Sequence, residues 1–519
     1  MRKTILAVTI AAALGTTQAQ AADLWDIYQL AVQNDPTFQE AQANYEATVE
    51  NKPIARAGYL PNITLNGSRQ VQKSSGEIPL FFDPTTGEYV PGNGTFNNYT
   101  TQYTAQLTQP IFNWAAWKAM DQADAQAAQA AAQFTAAQED LIQRTATAYF
   151  NVLNARDTLT ADHAATEANS KQLEQAKEKY DVGMSAITDV ENAQAAYDQS
   201  AANQISAQQQ VITTEEQLRA ITGQPVGELM EPSTDMPLRS PEPATAQQWV
   251  DQALKQNPNL LAAQAGADSA DANIGIKRAG HYPTLNAVLS HNRNNNTQVA
   301  TLPPQSFGFP PGPNVSVGQI NDISGNSAML QLSVPIFSGG AVWAEVNQAE
   351  RQYDAAIANV HLVTRQTEQQ ARTAYLGVLT GISQVQSLKQ SVKSNQTSMD
   401  ATETGMQVGT RTIVDVLTAR QNLLTAQTSF SNARYTYLES LLQLKQAAGI
   451  LNEGDIKQIN VLMQVKAPAA DMSLPDTSDP AGSSTAAPEA GTAAAPASAP
   501  VAAPAAGTTA PAASTPPKQ

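Results

Sequence analysis

The chain has 519 residues, with 46 acidic against 30 basic side chains and a net charge of −16, no cysteine, and only 6% aromatic residues. The acidity argues against a nucleic-acid partner. The missing cysteines exclude disulfides, thiolate chemistry and Cys-ligated zinc, and so few aromatics argue against one large globular core.

In chain order, the first feature is a secretory signal over residues 1–21. Arg2 and Lys3 supply its charge, residues 5–14 its apolar stretch, and Ala19-Gln20-Ala21 its cleavage site. The stretch is too short to cross a bilayer as a helix. Asp35-Pro36 then reads as a helix start, with the acid as cap and proline in the first turn. A helix of about twenty residues is expected, ending near Gly58. Ile63, Leu65 and Gly67 alternate with Thr64, Asn66 and Ser68; Tyr99 to Leu107 alternates with Thr100 to Thr108. Period-two alternation predicts a pair of strands, joined by a loop of about 25 residues rich in Pro, Gly and Asn. Nothing breaks the helical pattern over residues 113–181, which predicts a rod of about 100 Å. A Val182-Gly183 break and a second long helix follow.

The chain then says all of this again. Asn257-Pro258 repeats the helix start, residues 285–289 and 329–334 the strand pair, and Val408-Gly409 the break. Arg56-Ala57-Gly58 returns as Arg278-Ala279-Gly280, and Thr147-Ala148-Tyr149 as Thr373-Ala374-Tyr375. The offset of about 222–226 residues is far longer than a solenoid unit, so a whole module is duplicated, residues 22–244 and 245–466. Residues 467–519 are Ala, Pro, Ser, Thr and Gly and are expected to be a disordered tail. After each break a seven-residue seam appears. Val416, Leu423, Phe430, Tyr437 and Leu444 are offset by Ala419, Ala426, Ala433, Ser440 and Ala447. Val190, Tyr197, Gln204, Val211 and Leu218, with Ala193, Ser200, Ala207, Thr214 and Ile221, repeat it. Large residues alternating with small ones at this spacing predict coiled-coil packing.

The fold class is therefore α+β, with about four membrane-type strands and long coiled-coil helices in each copy of the chain. Four strands cannot close a barrel, and open edges in lipid leave backbone groups unsatisfied. Several chains must share the barrel. Three would give twelve strands around water.

On these features, and most specifically over residues 145–155, 182–193, 408–417 and 432–452, the sequence resembles the TolC family of outer-membrane exit ducts. The likeness covers residues 22–466. It implies a homotrimer with a twelve-stranded β-barrel set in outer-membrane lipid above a periplasmic α-helical tunnel. It further implies a passive exit path for drugs or type I secreted proteins, without cofactor. The path opens at its helical tip when a periplasmic adaptor and an inner-membrane efflux pump or ABC transporter dock. Residues matching Thr188 and Asp189 bond the residue matching Arg411 in that family, and those matching Gln172 and Glu403 form a second link. A family tyrosine that bonds the Asp189 position is Met406 here, so that link is missing. Asp415 matches the first of two constriction aspartates; the second is Thr418, which implies three carboxylates around the pore rather than six. Gly183 and Gly409 mark the helix breaks at the tip.

An enzyme is not expected. His163, His281, His291 and His361 show no ligand spacing, and no zinc-protease, phosphate-loop or nucleophile-elbow motif occurs. Two other classes compete. A substrate-specific porin does not need hundred-ångström helices, and a purely periplasmic adaptor does not need strand pairs. Phe81, Phe82, Phe307 and Phe309 fall in the loops, where they either narrow the outer mouth or are simply exposed.

Overall fold

The computed structural model describes residues 21–83, 85–302 and 312–464, which belong to one compact unit. The signal up to residue 20, the tail, Phe307 and Phe309 lie outside the described residues, as do the side chains of Phe81 and Phe82. The elements run α1 (Leu24–Asn34), α2 (Pro36–Val49), α3 (Asn51–Ala57), β1 (Asn62–Asp83), β2 (Glu88–Phe112), α4 (Trp114–Asp181), α5 (Ile187–Thr222) and β3 (Glu231–Pro232). They continue as α6 (Ala246–Gln256), α7 (Pro258–Arg278), β4 (Thr284–Leu302), β5 (Val315–Ser333), α8 (Ala341–Gln407), α9 (Ile413–Ala447), α10 (Glu453–Asn460) and β6 (Met463–Gln464). The second copy of the expected first helix is whole, at 21 residues. The first copy is split at Glu50, because Pro53 lacks an N–H and its ring crowds the Val49 carbonyl one turn back.

Both expected strand pairs form, and both are longer than their alternation suggests. β1 and β2 have 22 and 25 residues, and most of the expected first loop is ladder. Pro79 pairs with Pro91 where the register shifts, and only a short turn closes the hairpin. The strands pair antiparallel in the order β1-β2-β4-β5, so β1 and β5 are edges. One face carries Ile63, Leu107 and Leu289 in one row and Leu65, Ala105 and His291 in the next. Ile63 and Leu65 are more than 70% exposed, an apolar surface this chain does not cover itself. The other face is polar and almost uncharged: Thr64, Gln106, Ser290 and Ser327 share a row, as do Gln70, Thr100, Asn296 and Asn321. Arg69, Lys73, Arg293 and Asp322 all sit on the apolar face, where Arg293 grips Asp322 at 2.7 and 3.2 Å.

The helices make the rest. α4 has 68 residues and α8 has 67; at 1.5 Å per residue each is about 100 Å long. α5 packs back along α4, and α9 along α8. Every seam position predicted on α5 and α9 is buried or half-buried. Ala193, Ala207, Ala426 and Ala433 are among the buried ones, which lets the backbones approach.

Halfway along these rods α1, α6, α10 and the small β3–β6 sheet wrap a belt core. Leu141, Tyr149, Phe150 and Leu153 of α4 meet Leu24 and Ile27 of α1, Leu438 and Leu442 of α9, and Ile456 of α10. The duplicated tyrosines are structural. Tyr149 Oη donates to the Met230 carbonyl at 2.7 Å, and Tyr375 Oη to the Ala244 carbonyl at 2.5 Å. Each pins the crossing linker to a long helix. Among the sequence expectations, α1, α6 and α10 were absent as separate elements, although Asn452 and Asp455 form a capping box for α10.

Glu139 of α4 lies at the edge of this belt, only 4% exposed. Burial pushes its carboxyl up to about 8, against a smaller lowering by the Leu451 N–H. A carboxyl raised above its unfolded value stabilises the fold fully only below that value, near 4.5, and the contribution fades as pH rises toward 8. Glu139→Gln should therefore raise the apparent Tm at pH 9 by about 1–3 °C and change it little at pH 5, measured by thermal unfolding in detergent.

Candidate functional site: the helical tip

The long helices end at the pole opposite the sheet. α4 stops at Asp181 and Gly183 adopts φ 74°; α8 stops at Gln407 and Gly409 adopts φ 81°. Both ends are closed the same way. Met184 N–H donates to the Lys179 carbonyl at 2.7 Å and Gly183 N–H to Tyr180 at 2.9 Å. Thr410 N–H donates to Gly405 at 2.8 Å and Gly409 N–H to Met406 at 3.1 Å. This paired pattern requires a left-handed residue, and glycine takes it without a Cβ penalty. Val182, Met184 and Val408 stand at the turns 70% or more exposed, so the tip presents apolar side chains to its surroundings.

The five expected gate residues all lie within a few helical turns of this pole, and the protomer does not bond them to one another. Asp189 in the first turn of α5 accepts from Ser185 Oγ at 2.7 Å. Thr188 beside it is exposed. Arg411 packs its stem against Gly405 and, among the described residues, makes no hydrogen bond or ion pair with Thr188 or Asp189. Gln172 is buried on α4 and Glu403 is exposed on α8, without a bond between them. Glu403 instead lies near enough for its charge to act on the guanidinium of Arg420, a residue on which the sequence offered no motif.

Asp415 has a local duty. Its Oδ2 accepts from Thr412 N–H at 2.9 Å and from Thr412 Oγ1 at 3.0 Å, while Thr412 Oγ1 accepts from the Asp415 N–H. This capping box starts α9. The Thr412 bonds hold the carboxyl below its ordinary range, with help from the Arg411 charge, so it is ionised at neutral pH. Thr418 is exposed three residues on; its hydroxyl donates to the Val414 carbonyl at 2.8 Å. It also borders the cleft between α9 and the α4–α5 pair. Among the described residues no group of His, Asp or Glu side chains is arranged to hold a metal, and no helix is long and apolar enough to cross a membrane.

An uncharged polar sheet face, an opposite apolar face, and coiled coils that lead from the sheet to a distant tip are the parts of an outer-membrane channel with a helical tunnel. The chain belongs to the outer membrane efflux protein family, whose model matches residues 27–224 and 249–450. It is 33% identical to outer membrane protein TolC of Vibrio cholerae, over 89% of this chain and 99% of that one. It is 26% identical to the alkaline protease secretion protein AprF of Pseudomonas aeruginosa, over 85% of this chain and 87% of the relative. The crystal structure of the outer membrane protein VceC of Vibrio cholerae shares the fold, with a TM-score of 0.62 at 20% identity over 82% of this chain and 96% of that one. The protein is thus an outer-membrane exit channel of α+β architecture.

Proposed function

We propose that three copies of this chain close one barrel and one tunnel, and that the assembly is a passive exit duct for small toxic compounds and for proteins of type I secretion. The observation that carries the reading is the four-stranded sheet with two unpaired edges, continuous with helices of about 100 Å. Each edge strand is 19 or more residues long, and every second residue leaves its N–H and C=O unpaired, which lipid does not tolerate. Pairing β5 of one copy with β1 of the next removes every edge. The polar face then lines water, and the apolar face meets lipid. Efflux follows from the family, and protein cargo from the likeness to a protease secretion protein. Nothing in the tip or belt suggests a nucleotide site, so energy comes from a docked inner-membrane transporter. The exposed Val182, Met184 and Val408 give a periplasmic adaptor its apolar footing. The reading leaves no enzymatic role for the chain.

At rest the tip is held shut by Arg411 against Thr188 and Asp189, and by Gln172 against Glu403. These pairs are open within one protomer, so the reading places them between neighbouring copies. Expression in a strain lacking its own exit duct tests the whole function. Resistance to toxic drugs and release of a type I substrate should both return. Heat-resistant assemblies in the outer-membrane fraction with neither activity restored would reject the duct.

A further inference from the structure

Between the tip and the belt core, the two helical hairpins of the protomer share one side-chain hydrogen bond among the described residues. Arg420 Nη1 on α9 donates to Asn169 Oδ1 on α4 at 3.3 Å. Asn169 Nδ2 in turn donates to the Ala196 carbonyl on α5, also at 3.3 Å. One guanidinium thus joins α9 to both helices of the other hairpin. The next polar link lies twelve residues along α4, about 18 Å nearer the core, where Asp157 takes Tyr435 at 2.8 Å and Arg434 at 3.6 Å. Toward the tip the hairpins meet through apolar contact, Ile413 against the cluster of Leu173, Ala176, Val190 and Ala193.

Arg420 is placed to act on this gap. It is half-buried in a cleft of 320 Å³ whose walls include Asp162, Asn169, Ser200, Asn203 and Leu417. Burial pulls its guanidinium below the ordinary value, and the nearby Glu403 of α8 opposes that pull. Asn169 precedes Gln172 by three residues, so both lie on one face of α4. Arg420 is thus bonded one turn from Gln172 on α4, with Glu403 of α8 near enough to act on its charge. The cation has an amide partner and a nearby carboxylate, and neither is its only option. Such a bond holds the closed state and can still be exchanged for water when the cleft widens.

We propose that Arg420 is a latch inside each protomer, a positioning residue that keeps α9 against α4 and α5 and must release Asn169 before the tip opens. The inference rests on the gate reading above. It differs from the Arg411 set in that the bond is complete within one chain, before any neighbour arrives.

The test uses the assembled full-length protein in planar bilayers, with drug sensitivity in cells as a second readout. Arg420→Gln should raise single-channel conductance by about twofold or more, because a charge-assisted bond is replaced by a weaker neutral one. Arg420→Lys, which keeps the charge and a donor, should stay near wild type. Asn169→Asp gives up the amide's donation to the Ala196 carbonyl but turns the Arg420 link into an ion pair, the stronger of the two bonds, and should lower the conductance of an Arg411→Ser channel. Opposite signs for Arg420→Gln and Asn169→Asp are the expected result, since packing damage would push both the same way. If Arg420→Gln conducts like wild type while Arg411→Ser conducts more, the latch is wrong and the gate stands. If Arg411→Ser is also unchanged, the gate reading fails and the latch with it.

Discussion

Single-channel conductance and vancomycin sensitivity should rise severalfold in Arg411→Ser and in Asp189→Ala. Arg411 is a cation at the pole whose guanidinium has no bond to Thr188 or Asp189 in its own protomer, and Asp189 keeps one bond, to Ser185. Both therefore have capacity left for a neighbouring copy. A charged hydrogen bond contributes about 1.5–3 kcal/mol when shielded and less than about 1 kcal/mol when wetted. Three symmetry-related copies add around the axis, so even the lower figure matters. Asp189→Ala also frees Ser185, which loosens the turn after Gly183 and acts in the same direction. Thr188→Val should have a smaller effect, since it removes a neutral partner only. Conductance unchanged in both Arg411→Ser and Asp189→Ala would remove these residues from the gate.

Cation selectivity should fall in Asp415→Asn, and block by trivalent cations should disappear. Three ionised carboxylates around a narrow pore focus a negative potential that an amide does not. The amide is the informative change because of the capping box. Alanine would also delete the acceptor for the Thr412 N–H and weaken the start of α9. Asparagine keeps an acceptor in that place and removes only the charge. Because Thr412 holds the Asp415 carboxyl below its ordinary range, the charge is present above that lowered value. Selectivity should therefore persist into mildly acidic solution and fade only as pH drops through it. Thr418→Asp should strengthen block by restoring a second acid one turn away. Selectivity and block untouched in Asp415→Asn would mean that Asp415 caps its helix and does not line the pore.

The long helices were legible because their signal is an absence: no proline occurs from residue 111 to 224 or from 336 to 467, and small residues recur every seventh position. The tip was legible because Val-Gly breaks such a run at one point only. The strands were legible in place and not in length. Beyond Leu65 and Tyr99 the alternation dissolves into Gly, Asn, Ser and Thr, and only the partner strand holds such residues extended. The belt helices were missed for a different reason. α1 and α10 have 11 and 8 residues, too few for periodicity to stand out, and they exist because they cover Tyr149 and Leu442. Arg420 carried no sequence signal at all. Its meaning comes from Asn169, 251 residues away, and from Glu403 on a third helix. The Arg411 set resembles a known pattern, but its partners do not meet within the chain, so a single copy shows positions and not bonds.

The central claim is that the barrel closes between copies, and the two edge strands test it directly. Within one protomer β1 and β5 are separated by three strand spacings, about 14 Å, whereas a disulfide needs Cβ atoms about 4 Å apart. The chain has no cysteine of its own, so pairs can be introduced cleanly, one in the middle of β1 at positions 66–72 and one in β5 at positions 319–325. Oxidation in outer membranes should give, for at least one register, a ladder that ends at three covalently joined chains and persists in SDS. Closure between copies is contradicted if every register across these positions leaves the protein monomeric while a control pair across β1 and β2 oxidises within the chain.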